Sequence, residues 1–165
     1  MTSLTIGFLI FRFSTAFDHS GLRLKFGVQD QNNIRFQAYI KIEDLEDDIP
    51  ILASEGKIYG LGADALFTIP TSSKFTPYFL LGLSSDFAEL DDPGIDYSED
   101  TLRSFSLKAG LGGLFKLDKH IELQAGYDVH YRSWQEIEIV DSGRTADVEQ
   151  HDVSKTFHVG LNFFF

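Results

Sequence analysis

The feature that most constrains the fold is the run Phe157–Phe165, in which a large apolar side chain stands at every second position. Successive side chains of a β-strand point to opposite faces, so one face of this run is apolar and the other is mostly polar or small. In a soluble sheet such a strand is often an edge, and a flat apolar edge invites aggregation. A barrel in lipid has no edge and needs an apolar outer face. The run therefore predicts a strand of a transmembrane barrel.

Composition favours strands over helices. The 165 residues include 16 Phe, 6 Tyr and 14 Gly, and aromatic residues fit pleated surfaces. No apolar run reaches the roughly 18 residues of a spanning helix, whereas a spanning strand needs only about 9–11 residues. We predict a single domain that spans residues 1–165.

Charge and cysteine content exclude several classes of function. The chain has no cysteine, which excludes disulfides, thiol catalysis and cysteine-ligated metals. We also predict that the chain has no cofactor, no metal centre and no catalytic residue. A net charge of −11 argues against a nucleic-acid partner, because neutralising phosphates requires a basic surface. The apolar run Leu4–Phe11 has no basic residue before it and is followed by Arg12, unlike a signal peptide. We interpret it as a strand and expect that a signal peptide has already been removed.

Eight stretches with a two-residue period, bounded by turn residues, are predicted to be strands. They are Ser3–Phe13, Leu22–Gln29, Ile34–Ile42, Lys57–Ile69, Phe75–Phe87, Thr101–Leu117, Ile121–Ile139 and Val153–Phe165. Short turns alternate with longer, mostly more acidic loops, which is typical of bacterial outer-membrane barrels. The pattern predicts an all-β fold, an eight-stranded antiparallel up-and-down transmembrane β-barrel.

The polar face of each strand is predicted to line the lumen. The lumen residues expected to form a structural polar network are Arg23, Lys25, Arg35, Lys41, Asp64, Asp86, Lys108, Glu122, Asp128, His130, Arg132 and Glu136. Six cations and five carboxylates nearly balance, which indicates ion pairing, since an unpaired buried charge costs several kcal/mol. Eight strands enclose only enough room for their own side chains. We expect a plugged lumen, with an ion path as the alternative. In the first strand the apolar alternation changes phase between Ile10 and Phe11, which favours a bulge.

Three glycine- and aromatic-rich runs, Tyr59–Phe67, Phe75–Leu83 and Leu107–Phe115, carry a resemblance to a known family. With the aromatic last strand they resemble the small outer-membrane β-barrel superfamily of OmpA/OmpX-type and opacity-type porin-like proteins, over most of the chain. The resemblance implies a monomer in a bacterial outer membrane, surrounded by the lipid bilayer and lipopolysaccharide. It also implies that the barrel-assembly machinery reads the last strand during insertion. The assembly signal would consist of Phe157, Val159, Leu161, Phe163 and Phe165.

The resemblance leaves the function open, because the superfamily contains adhesins, integrity proteins and a few enzymes. Some members deacylate lipid A with a His-x-Ser pair on one strand, which the run Val129–Ser133 superficially resembles. In a regular strand His130 and Ser133 lie on opposite faces, so the serine cannot pass its proton to that histidine. We therefore predict a protein that is not an enzyme. A lipid A acyl hydrolase and a narrow pore are the alternatives, and a soluble lipocalin-like barrel, with its apolar face inside, is a third.

The longer connections carry most of the acidic residues. These are Glu43, Asp44, Glu46, Asp47 and Asp48 in one loop, Glu89, Asp91, Asp92, Asp96, Glu99 and Asp100 in another, and Asp141, Asp147, Glu149 and Asp152 in a third. Charge runs of this kind usually keep loops solvated, although their oxygens also suit divalent cations such as Ca²⁺ or Mg²⁺. We expect a structural, membrane-integrity or surface-interaction role through these loops.

Overall fold

The computed structural model describes residues 3–14, 19–30, 33–45, 56–89, 101–141, 144–148 and 151–164, and the described chain is all-β. Its strands are β1 (Ser3–Ser14), β2 (His19–Gln29), β3 (Ile34–Leu45), β4 (Gly56–Thr68), β5 (Phe75–Glu89), β6 (Thr101–Lys116), β7 (Ile121–Trp134), β8 (Ile137–Asp141), β9 (Arg144–Val148) and β10 (His151–Phe164). Eight of them form a closed antiparallel barrel in the order β1-β10-β7-β6-β5-β4-β3-β2, while β8 and β9 pair separately. The predicted eight-stranded barrel is confirmed. Within the described part of the chain, no helix has the length and apolar character needed to cross a membrane.

The barrel closes because the first and last strands pair along their length, from Thr5 opposite Phe164 to Ser14 opposite Thr156. Every other pair in the wall joins strands that follow one another around the barrel in chain order, with the β8–β9 hairpin between β7 and β10, which is the up-and-down arrangement. Asn33, immediately before β3, has φ 62°, a left-handed conformation that Asn tolerates better than most residues. Closure leaves no strand edge in the barrel wall.

The predicted bulge in the first strand is present. Pairing between β1 and β10 runs from Leu9 opposite Gly160 directly to Phe11 opposite Val159, so Ile10 is the extra residue. One inserted residue shifts the two-residue alternation by one position. This explains why the apolar pattern changes phase at that point.

The seventh predicted strand is too long, and the error affects one predicted lumen residue. β7 ends at Trp134, and residues 137–148 form the separate hairpin of β8 and β9. β10 begins at His151, which pairs with Ser133. Beyond Ser133, β7 therefore has no residue of β10 to pair with. Glu136 follows the end of β7 and is exposed to solvent. The prediction that Glu136 faces the lumen is therefore wrong.

The outer face of the barrel is apolar. Side chains on this face from β2 to β7 and on β10 are exposed, and they include Leu22, Phe26, Phe36, Ile40, Leu61, Phe79, Leu81, Leu83, Phe105, Leu107, Leu111, Val129, Tyr131, Val153 and Phe157. Leu111, near the middle of β6, is 67% exposed. A soluble ligand-binding barrel needs the opposite distribution, with polar residues outside. The lipocalin-like alternative is wrong for this chain.

Candidate functional site

The interior of the barrel is polar and charged. It contains eleven of the twelve residues predicted for the lumen network, all of them buried. These are Arg23, Lys25, Arg35, Lys41, Asp64, Asp86, Lys108, Glu122, Asp128, His130 and Arg132. Their positions follow from the two-residue period of strands whose other face is apolar.

Glu43 is an interior residue that the sequence interpretation assigned to a loop. It is 3% exposed because β3 continues to Leu45, three residues beyond the predicted end. Its carboxylate lies 3.3 Å from Lys41 Nζ, 3.6 Å from Arg132 Nη2 and 4.0 Å from Arg23 Nη2. The signal for it was present, since Glu43 continues the alternation of inward residues along this strand.

A first cluster lies at the rim that carries the short turns. The Nη1 atom of Arg35 donates to Glu122 Oε1 at 2.7 Å, and its Nη2 atom donates to Gln29 Oε1 at 3.0 Å. The Nδ2 atom of Asn162 donates to the same Glu122 oxygen at 3.0 Å. The guanidinium of Arg35 lies 5.2 Å from the centre of the Phe164 ring. Both members of this buried ion pair thus have additional partners, which offset the cost of removing the charges from water.

A second cluster joins Asp128, His158 and Tyr78. Asp128 Oδ2 lies 3.2 Å from Nδ1 of His158, and the Nε2 atom of that ring lies 3.0 Å from the Tyr78 hydroxyl. A carboxylate only accepts, so the neutral imidazole carries its proton on Nδ1 and accepts from tyrosine at Nε2. Gln124 Nε2 in turn donates to the Tyr78 oxygen at 3.1 Å. The His158 ring therefore lies between the Asp128 carboxylate and the Tyr78 hydroxyl within the barrel.

A third cluster surrounds Tyr39 in the middle of the barrel. The ammonium of Lys108 lies 2.5 Å from Asp64 Oδ1 and donates to the Tyr39 hydroxyl at 3.3 Å. The Tyr39 ring has Arg23 at 4.4 Å from its centre and Lys108 at 4.5 Å, both cation–π contacts. The ammonium of Lys25 has no hydrogen-bond partner among the described residues.

A fourth cluster lies toward the rim that carries the longer loops. Asp86 accepts from Lys41 Nζ at 2.9 Å and lies 3.2 Å from Arg132 Nε. Arg132 also lies 3.6 Å from Asp152, and its guanidinium stacks 5.2 Å from the centre of the Trp134 ring. One buried carboxylate thus bridges two cations from different strands.

Glycines on the inner face provide the room for these long side chains. A methyl group at Gly82 would overlap the Asp64 carboxylate, and one at Gly60 would overlap Asp86 and Lys41. The small residue on one strand therefore accommodates a charged side chain from its neighbours. The apolar interior residues Leu66, Leu80 and Leu114 pack together with Tyr78.

His130 and Ser133 do not meet on one face. Every residue of β7 from His130 to Ser133 pairs in order with β10, from Ser154 opposite His130 to His151 opposite Ser133. The strand has no bulge in this stretch, so the two side chains point to opposite sides of the wall. Of the two, only His130 is buried in the lumen.

The remaining predicted features lie partly outside the described residues. Phe157, Val159, Leu161 and Phe163 alternate with buried lumen residues along β10 and so share its outer face, whereas Phe165 lies outside the described part of the chain. Their role in assembly stays a prediction. The acidic loop residues in 46–48, 91–100 and 149 also lie outside it. Among the described residues, no group of three or more His, Asp or Glu has a metal-binding arrangement.

The chain matches no family model, and no curated protein matches its sequence. Its fold is similar to solved structures of outer-membrane proteins. Neisserial surface protein A is 20% identical, with a TM-score of 0.67 over 99% of this chain and 96% of that chain. The N-terminal β-barrel domain of Pseudomonas aeruginosa OprF is 15% identical, with a TM-score of 0.54 over 98% and 97% of the two chains.

A third similar structure is Ail, the attachment invasion locus protein of Yersinia pestis. It is 18% identical, with a TM-score of 0.53 over 99% of this chain and 97% of that chain. Ail has also been crystallised in complex with the heparin analogue sucrose octasulfate, where the TM-score is 0.56 at 16% identity and the coverage is 99% and 97%. These likenesses confirm that the chain has the fold of the small outer-membrane β-barrels.

Proposed function

We propose that this chain is an integral protein of a bacterial outer membrane, with a plugged lumen and a structural or surface-interaction role. The observation that carries the proposal is the distribution of side chains in a closed barrel. Exposed apolar residues cover the outer face of the wall on β2 to β7 and β10, while charged residues are buried inside it. Only lipid solvates such an exterior, because a large exposed apolar surface is unfavourable in water.

Ion pairing within the lumen supports a plug. Five of the six buried Lys and Arg side chains lie within 4.0 Å of a carboxylate among the described residues. Five carboxylates are buried among the described residues. Glu43 is one of them, and Glu136, which was predicted to be, is not. A permeating ion would have to compete with these paired charges, and the near balance of sign favours neither cations nor anions.

The longer loops are the proposed site of surface interaction. Their sequences are acidic, with Asp91, Asp92 and Asp96 near one another in sequence between β5 and β6. Acidic loops attract divalent cations and basic partners and repel polyanions. Ail binds a sulfated sugar analogue, which is a polyanion, whereas acidic loops would repel such a ligand. We therefore do not propose a polyanionic ligand for the loops of this chain. We expect the barrel to act as a monomer.

A catalytic role is not proposed, because it would need His130 and Ser133 on one face. The regular pairing of β7 with β10 keeps them apart. A serine on the lipid side and a histidine in the lumen cannot share a proton across the wall. We expect the pure protein to leave the acyl chains of lipid A unchanged, which mass spectrometry of the treated lipid would measure.

Conductance in planar lipid bilayers tests the plug. The unmodified protein is expected to give no stable single-channel steps, because paired side chains fill the lumen. The double variant Lys41→Ala/Arg132→Ala removes two long side chains at the loop-bearing end and serves as a control for a widened interior. Reproducible steps from the unmodified protein that become larger in the double variant would contradict the plug and favour a pore.

A further inference from the structure

A cavity opens at the rim of the barrel that carries the short turns. Its volume is about 560 Å³, within the range of small-molecule sites. The buried residues of its lining are Arg35, Leu114 and Glu122, and the exposed ones include Lys116 and Lys119. The cavity therefore combines charged groups with an opening to solvent.

Both carboxylates that line the cavity already have donors from the protein. Asp118 Oδ1 accepts from two backbone N–H groups of its own turn, at 2.6 and 2.9 Å. Glu122 accepts from Arg35 at 2.7 Å and from Asn162 at 3.0 Å. Lys116 stands opposite Glu122 in the β6–β7 register, yet among the described residues no ion pair within 4.0 Å joins the two side chains.

The cations of the lining, in contrast, keep donors available. Lys116 and Lys119 have no hydrogen bond and no ion pair within the described part of the chain. The Nε atom of Arg35 also lacks a hydrogen-bond partner there, although Arg35 is only 2% exposed. Three cations face two carboxylates across the cavity, counting His120 as neutral. The lining thus has an excess of positive charge and of unused donors.

The two rims of the barrel differ in charge. The charged residues of the short-turn rim outside the barrel interior are Lys74, Lys116, Lys119, Asp30 and Asp118. The longer loops hold most of the acidic residues of a chain whose net charge is −11. An anion is therefore repelled from the loop-bearing end and tolerated at this one.

Neutral polar groups beside the cations suit a peptide-like solute. Gln29 lines the cavity and uses Oε1 for Arg35, which leaves its amide hydrogens without a partner among the described residues. The hydroxyl of Thr76, another lining residue, can both donate and accept. The Phe164 ring adds an apolar surface to the lining. Peptide groups need this combination of donors and acceptors.

We propose that the cavity binds a small solute of dipeptide size with a free carboxylate, which lies against Lys116 and Lys119. A single carboxylate is favoured over phosphate, because a doubly charged group is repelled more strongly by Asp118 and Glu122. The short turns of such barrels face the periplasm, so the solute is a periplasmic one. That placement rests on the proposed outer-membrane location.

Nuclear magnetic resonance of the isotope-labelled whole chain, folded in detergent, tests the site. The probes are acetyl-dialanine, its amide, acetate and inorganic phosphate. Acetyl-dialanine is expected to shift the amide signals of residues 116–121 saturably and to leave those at the loop-bearing rim unchanged. Its amide should bind at least about tenfold more weakly, because the charge-assisted hydrogen bonds of the carboxylate are lost.

Variants with a matched control locate the binding groups. Lys116→Gln and Lys119→Gln should each weaken binding of acetyl-dialanine about fivefold, the upper value for an exposed ion pair. Lys74→Gln removes an exposed lysine of the same rim that does not line the cavity and should leave the affinity unchanged. Thr76→Phe narrows the cavity and should weaken acetyl-dialanine more than acetate, which needs less room.

Three results would overturn the proposal. Equal losses in Lys74→Gln and Lys116→Gln would show general attraction to a basic rim and no defined site. Equal binding of the amide would remove the role of the carboxylate, and tighter binding of phosphate would refute the choice of a carboxylate.

Adding two residues after Phe165 tests whether the terminal carboxylate of the chain competes for the cavity. The extended chain is expected to bind acetyl-dialanine with unchanged affinity. Binding that appears only in the extended chain would overturn an external ligand.

A folding control separates this proposal from the proposed function. Heat-dependent gel mobility reports whether each variant forms the barrel in detergent. A folded barrel that binds none of the probes refutes the cavity site and leaves the outer-membrane proposal intact. A chain that never forms the barrel in detergent or lipid refutes both.

Discussion

Replacing Arg35 by Met separates the cost of breaking a buried ion pair from the cost of removing it. Arg35 and Glu122 are each about 2% exposed and lie 2.7 Å apart at the closer pair of atoms. In Arg35→Met, the bond from Asn162 is the only one that Glu122 keeps among the described residues. In Glu122→Met, Arg35 keeps Gln29 and the contact with Phe164. Each single variant thus leaves one charge buried with incomplete compensation.

The expected magnitudes follow from that geometry. Breaking a buried pair by removing one partner typically costs about 3–5 kcal/mol. The remaining partners in the barrel place both single variants near the lower end, at about 3 kcal/mol. The double variant Arg35→Met/Glu122→Met leaves no unpaired charge and is expected to be more stable than either single variant. The coupling between the two positions should then be at least about 2 kcal/mol.

The assay is a urea titration of the protein refolded in lipid vesicles, followed by the fluorescence of the only tryptophan in the sequence, Trp134. Trp134 is buried beneath Arg132 at the far end of the barrel, so its signal reports unfolding of the whole barrel and not the substituted site. Strictly additive effects in the double variant would refute the argument that these two residues compensate each other.

Three further predictions concern the outer wall, the histidine cluster and a turn. Leu111→Arg places a charge on the lipid side near the middle of β6 and should cost about 2–4 kcal/mol, whereas the lumen-facing Ser84→Asn should cost less; equal losses in the urea titration would contradict the assigned faces. Tyr78→Phe leaves the Nε2 atom of His158 without its donor and should cost about 1–3 kcal/mol in the same assay, and an unchanged stability would argue against that bond. The pKa of Asp118 is lowered, chiefly because its carboxylate accepts from the backbone N–H of His120 and also from that of Ile121. A carboxyl group whose pKa is lowered in the folded protein stabilises the fold above its unfolded pKa of about 4. That contribution is lost as the pH falls through the pKa of the folded state. Asp118→Asn should therefore flatten the pH dependence of stability in acid. An identical acid slope in the two proteins would show that the turn carboxylate does not contribute.

Much of the barrel could be predicted from the sequence, because the two-residue period is a local property of each strand. The eight strands of the wall, the bulge at Ile10 and the inward direction of residues such as Arg35 and Asp64 all follow from alternation along a single strand. The error at Glu136 arose because the alternation of side chains in the sequence continues beyond the end of β7. At that position β10 no longer provides a neighbouring strand for pairing. Glu43 was missed for the opposite reason, since its strand continues into a stretch whose acidic composition resembles a loop.

The sequence by itself determined that each strand has one apolar and one polar face, since that depends only on the order of residues. It did not determine which face is the outer one, because the same alternation fits a lipid-facing barrel and a soluble one. Only the tertiary structure decided this, by burying the charged faces inside the closed barrel and exposing the apolar faces outside it. It also decided which charges meet, such as Arg35 with Glu122 at a separation of 87 residues. Such pairs depend on register around the closed barrel, and register is set by all the strands together.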